Sequence, residues 1–186
     1  CEDFGADIVD VNMGCPVKKV VNGYAGSALM KDELLALSII ESVVNSVNIP
    51  VTLKMRKGWN EKSLNAPKLA VKAEKAGVKL ITIHGRTRCQ MFKGKSDWEF
   101  IKTVKEVVKI PVIVNGDITN ISEVKKAQSL SCADGVMIGR GSYGRPWIFK
   151  EMSQDFSKNK NFKISNSLKK DIILEHFSNS LNHYGE

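Results

Sequence analysis

The chain has 186 residues, 42% of them apolar, and a formal net charge of +8 at pH 7. That length suits one domain, or one domain and part of another, with enough apolar residues for a packed core. No apolar run approaches membrane-spanning length and no signal peptide is expected. The four cysteines, at 1, 15, 89 and 132, show neither CxxC nor CxH spacing, so no metal site and no disulfide framework is expected. A reducing, cytoplasmic setting fits that pattern.

Glu2 to Ala6 read as the tail of a helix already under way, and the last residues from Leu181 stop without a cap or strand. The chain is therefore expected to be an internal piece of a longer protein. Ile8, Val9 and Val11 read as a strand of the parallel type, apolar because both faces are covered. Gly14 and Pro16 end it in a turn, which leaves Cys15 at the strand's C-terminal mouth. Alone, Cys15 is most simply a small apolar thiol closing a tight turn. In a (β/α) barrel, however, that mouth is where catalytic residues stand.

Four more strands are expected at 51–56, 80–84, 112–115 and 135–139, each rich in β-branched residues. Helices alternate with them. Leu37, Ile40, Val44 and Val47 have helical spacing, and Leu69, Ala70 and Ala73 form a second stripe stopped by Gly77. Ser96 with Glu99, and Asn120 with Glu123, read as capping boxes ahead of two further helices. This regular alternation argues for parallel strand–helix units. A doubly wound sheet ranks second, because no GxGxxG follows a strand and opens a helix. The expected fold is α/β, a partial (β/α)8 TIM barrel holding the last five units, with about three strands missing. Residues 1–149 form that catalytic domain. Residues 150–186 are a linker, polar over 157–167, and the start of a helical domain whose pattern resumes at Leu168.

Each strand ends in polar groups: Asn12 and Cys15, Lys54 and Arg56, His84 and Arg86, Asn115 and Asp117, then Gly139 and Arg140. Singly these have plain explanations, such as a snorkelling lysine, a hydrogen-bonded core histidine or a cap. Five strand ends in succession carry more weight. Asn115-Gly116-Asp117 and Gly139-Arg140-Gly141 leave backbone unshielded, as phosphate loops after the last two barrel strands do. All five arginines, with Lys18, Lys19, Lys54, Lys57, Lys93 and Lys95, follow expected strands. They suggest a basic rim suited to an anionic ligand or a nucleic acid.

Asn12-Met13-Gly14-Cys15-Pro16, Lys54-Met55-Arg56, His84-Gly85-Arg86-Thr87, Asn115-Gly116-Asp117, Gly139-Arg140-Gly141 and Gly144-Arg145-Pro146-Trp147-Ile148-Phe149 occur in that order. Together the set resembles the tRNA-dihydrouridine synthases of the bacterial branch, from about residue 5 to at least 150. The resemblance implies an FMN-dependent, NADPH-consuming reductase that converts tRNA uridines to 5,6-dihydrouridine. It implies hydride delivery from flavin N5 to C6 of uracil and a proton from Cys15 to C5. A free thiol, with a pKa of about 8.5, is mostly protonated at neutral pH and suits that duty. Lys54 and His84 are implied at the flavin ring, and Asn115, Gly116, Asp117, Gly139 and Arg140 toward ribityl and phosphate. Asn12 is implied at the uracil edge, and Arg86 and Arg88 on the RNA backbone. The target base must be turned out of its stack, and the helical domain is the implied second RNA clamp. The family's opening flavin-binding segments do not occur in this sequence. Two alternatives stand beside this reading: another FMN barrel such as a dihydroorotate dehydrogenase, and an inactive or split-gene barrel fragment.

Overall fold

The computed structural model describes residues 1–156 and 164–185, and the side chains of 154–156 lie outside the description. Five strands, β1 (Val9–Met13), β2 (Val51–Arg56), β3 (Leu80–His84), β4 (Val112–Asn115) and β5 (Gly135–Met137), form one sheet in sequence order. Every neighbouring pair is parallel. Between them run α1 (Lys18–Val21), α2 (Glu33–Asn45), α3 (Ala66–Lys75), α4 (Trp98–Lys105) and α5 (Ile121–Ser131). This is the expected partial (β/α) barrel. Ile8 stays outside β1 and is 56% exposed. β5 stops at Met137 rather than 139, because β4, its ladder partner among the described residues, ends at the paired Asn115.

The sheet divides its residues by the period of two that a strand imposes. Met13, Leu53, Met55, Ile81, Ile83, Val112 and Val114 are fully buried. They share one face, since Met13 pairs with Met55, Met55 with Ile83 and Ile83 with Val114. Ile40, Leu69, Ala70, Ala73, Ile101, Val104, Val124 and Ala127 supply the buried stripes of the helices. The opposite face carries Asp10, Asn12, Thr52, Lys54, Arg56, Thr82, His84 and Asn115. The sequence suggested strands apolar on both sides. Only one side is apolar, and the other is polar toward the carboxyl ends.

Two caps differ from expectation. Asp97, not Ser96, caps α4 by accepting from Phe100 N–H, because Ser96 is held instead by β4 and the turn after it. Asn120 caps α5 as expected, but the Glu123 carboxylate accepts from Thr119 N–H (2.7 Å) and Oγ (2.8 Å) rather than from the cap's own amide.

The first compact unit is Cys1–Gly139 and a second begins at Arg140, whereas the sequence places the domain boundary at 149/150. The second unit contains α6 (Ile148–Phe156) and α7 (Asn166–Tyr184), the latter capped by Ser165. Within the expected linker, residues 157–163 lie outside the described residues. Among those described, no helix is long and apolar enough to cross a membrane.

Glu33 joins α2 to α3 by accepting from Lys72 Nζ (2.7 Å), Lys68 Nζ (3.1 Å) and Asn65 Nδ2 (3.2 Å). The Lys72 bond is the main cause that holds its carboxyl at about 2 against an ordinary 4.5. A depressed carboxylate stabilises the fold above its unfolded value and loses that contribution as pH falls through the folded one. Glu33→Gln is therefore expected to lower the unfolding midpoint at neutral pH. The difference from the unsubstituted protein should close between pH 4.5 and about 2 in a pH series of melts.

Candidate active site

Cys15 stands on a backbone fixed from both sides. Asn12 Oδ1 accepts from the N–H groups of Gly14 (3.0 Å) and Cys15 (3.1 Å), turning the chain as β1 ends. The Cys15 carbonyl accepts from Ser27 N–H (3.0 Å) and Ser27 Oγ–H (2.8 Å). Ser27 is fully buried. Its neighbour Gly26 has φ +57°, and a Cβ there would stand 2.8 Å from the Cys15 oxygen. Only glycine fits. Cys15 is half-buried. Gly26 and Ser27 escaped the sequence reading, and a Gly-Ser step in a loop was their only signal.

The polar sheet face begins beside this turn. Asn12 pairs in register with Lys54, and Lys54 with Thr82. One rung further, Arg56 pairs with His84 and His84 with Asn115. Arg56 is 2% exposed. Its Nε donates to the Gly14 carbonyl (2.9 Å) and its Nη1 to those of Thr87 (2.8 Å) and Met91 (2.9 Å). Burial, then the nearby Arg86 charge, brings its pKa down to about 10, so it stays cationic at neutral pH. Burial and Arg56 likewise lower Lys54, while Asp10 opposes them.

His84 is pushed down to about 3, by burial first and then by Arg56, Lys54 and Arg86. It is a neutral imidazole at physiological pH. Arg86 Nη1 lies 3.4 Å from its Nε2, and a guanidinium only donates. Nε2 is then the acceptor, and the ring proton sits on Nδ1.

Arg86 does not stand at the surface. It is 2% exposed, and its donors reach the carbonyls of Lys93 (3.1 Å) and Gly94 (2.7 Å) and the Asp117 carboxylate (2.6 Å). The expectation of Arg86 on an RNA backbone gives way to this burial. It braces the loop after β3. Arg56 and Lys57 are buried as well, the latter beside Glu61 and Asp97, so the basic rim is partly an interior feature. Lys18, Lys19, Lys93 and Lys95 are exposed, and Arg88 is half-buried.

The Asn115-Gly116-Asp117 turn fits the same bracing. Asn115 Nδ2 donates to the Met137 carbonyl (2.8 Å), joining β4 to the end of β5. Gly116, at φ +115°, lies where a Cβ would come within 2.7 Å of the His84 ring. Asp117, at φ +56°, accepts from Ser96 N–H (2.8 Å) as well as from Arg86. Gly139 ends the first unit with open space at its α-carbon, and Arg140 opens the second.

Residues 1–186 match the family model described as Dihydrouridine synthase (Dus). A Rickettsia bellii protein named "Probable tRNA-dihydrouridine synthase" is 55% identical over 187 residues, covering 100% of this chain and 57% of that protein. A Pasteurella multocida protein named "tRNA-dihydrouridine synthase B" is 44% identical, covering 98% of this chain and 55% of that protein. The chain thus spans little more than half the length of these relatives. Among solved structures, a phosphonopyruvate hydrolase complexed with oxalate and magnesium superposes with a TM-score of 0.56 at 15% identity. It covers 88% of this chain and 59% of that one, a likeness of fold alone. By the whole-length family match, the chain belongs to the dihydrouridine synthase family.

Proposed function

We propose that this chain forms five strand–helix units of the catalytic barrel of an FMN-dependent reductase that uses NADPH to convert tRNA uridines to 5,6-dihydrouridine. The observation that carries the reading is the pinned Cys15 at the mouth of β1, next to a sheet face that gathers Lys54, Arg56 and His84. An unpaired thiol on a fixed backbone, within a surplus of positive charge, suits proton delivery to a developing carbanion.

The residues present fit an anionic flavin. Lys54, Arg56 and Arg86 crowd a histidine that stays neutral, and Asp10 and Asp117 are the nearby carboxylates. When bound, FMN would supply the hydride for C6 of the uracil ring, with NADPH as the reductant. In this proposal Lys54 would hold the flavin ring and favour its anionic form. His84 offers a neutral hydrogen bond from its protonated ring nitrogen. Asn115, Gly116 and Asp117 would hold the ribityl chain, and Gly139 and Arg140 the phosphate. Cys15 gives its proton to C5. Asn12 has its oxygen committed to the Cys15 turn, which leaves its amide nitrogen for the uracil edge. Arg86 acts through its neighbours as a positioning residue.

Cys15→Ala in the complete protein is expected to keep its flavin absorbance and its reduction by NADPH. Its rate of dihydrouridine formation in tRNA should fall by roughly 10²–10⁴-fold. Undiminished dihydrouridine formation would remove the acid assignment. Ser27→Ala keeps the amide bond to Cys15 but loses the hydroxyl, so iodoacetamide should alkylate Cys15 faster at unchanged flavin content. An unaltered alkylation rate would show that the hydroxyl does not hold the Cys15 backbone in place.

His84 provides a pH test. Its folded value of about 3 lies below the ordinary 6.5, so protonation favours unfolding. The stability it contributes is fully present above 6.5 and is lost as pH falls toward 3. The ring resonances of His84 should therefore not titrate between about pH 5 and 8. A midpoint inside that window would show that burial and the cations around the ring do not govern it.

A further inference from the structure

Lys31, Trp59 and Arg88 come from the loops after β1, β2 and β3, at the end of the sheet that carries Cys15. Lys31 closes the short 3-10 helix Gly26–Lys31, whose other end holds the Cys15 carbonyl. Its Nζ lies 4.9 Å from the centroid of the Trp59 ring, and Arg88 Cζ lies 4.7 Å from it. Backbone bonds frame the group: Arg88 N–H to the Gly58 carbonyl (3.0 Å), Cys89 N–H to that of Trp59 (2.9 Å), and Trp59 N–H to that of Ser63 (3.1 Å).

One indole ring shared by two cations sets this group apart. Lys57 and Arg86, on the same loops, are each matched by a carboxylate. Among the described residues, neither Lys31 nor Arg88 has a carboxylate within 4.0 Å. Arg88 Nε is buried without an acceptor. An unsatisfied charged donor is costly, and the indole returns only part of that cost through cation–π attraction. Two uncompensated cations held by one aromatic ring form a preorganised acceptor site for anions. The paired oxygens of a phosphodiester match the guanidinium fork.

We propose that Lys31, Trp59 and Arg88 form a phosphate grip for the RNA backbone beside the catalytic mouth, in which the indole holds both cations ready and makes no base contact. This rests on the tRNA reading above and extends it by naming where the strand is held. The contact carries no sequence information and contributes affinity that weakens with salt, because each neutralised phosphate releases counterions.

Filter binding of bulk tRNA across a salt series tests it, with flavin absorbance recorded for every variant as the check on folding. Lys31→Ala and Arg88→Ala should each flatten the slope of log affinity against log salt by about 1. Trp59→Leu keeps both charges but frees them, and should bind about tenfold more weakly with a slope near that of the unsubstituted protein. Lys75→Ala, exposed at the end of α3 that leads back to the start of β3, should leave both quantities unchanged. Slopes for Lys31→Ala and Arg88→Ala equal to the unsubstituted value, or an equal flattening by Lys75→Ala, would overturn the grip while leaving the tRNA reading intact. No tRNA binding by the unsubstituted protein would overturn the tRNA reading and the grip with it.

Discussion

The Arg56 guanidinium, buried at the end of β2, takes its acceptors from two different loops: the Gly14 carbonyl before Cys15, and the Thr87 and Met91 carbonyls after β3. Burying a cation is expensive unless its donors are satisfied. Here three carbonyl oxygens and the Phe92 ring, 5.8 Å away, offset the cost without neutralising the charge. A carboxylate partner would have held the loops equally well and cancelled the field. Because the acceptors are neutral, one residue both fixes the mouth of the sheet and makes it positive.

The rest of the polar face follows from that choice. With Arg56 charged, Lys54 and Arg86 share a low-dielectric neighbourhood with it, and each added cation disfavours protonation of His84. Arg86 is tolerated because Asp117 balances it, and Asp117 is placed by a left-handed backbone turn directly after Gly116. Gly85 has an equivalent role. A Cβ there would stand 2.7 Å from the Asp97 carbonyl, so only glycine lets the segment that caps α4 pack this closely on the end of β3. Cys15 is held further through Asn12 and Ser27, which leaves its side chain outside the network that fixes its backbone. Such preorganisation is what a group moving a proton at a set point requires.

Much of this was legible in the sequence, for identifiable reasons. The alternation of β-branched runs with helical stripes gives the parallel order directly, and polar residues at successive strand ends mark the mouth. Long-range pairing was not legible. Arg56 meets acceptors 31 and 35 residues away, and nothing in its local sequence separates a buried brace from a surface cation. Arg86 and Lys57 were misplaced on the rim for the same reason. Ser27 reaches Cys15 from 12 positions along the chain, past α1, a separation with no periodic signature. The alternation of Thr52, Lys54 and Arg56 with Val51, Leu53 and Met55 was visible, but the apolar richness of the strand masked it.

Amide hydrogen exchange in Arg56→Lys bears most directly on this coupling. Lysine keeps a positive charge but lacks the planar fork, so it cannot reach carbonyls of both loops at once. Bonds donated by a charged group contribute about 1.5–3 kcal/mol each. Residues 14–15 and 87–91 should therefore lose protection together, by about a hundredfold, while β2 and β3 exchange as before. Loss of protection in one loop alone, or in neither, would contradict the claim that a single buried guanidinium joins the cysteine turn to the histidine loop.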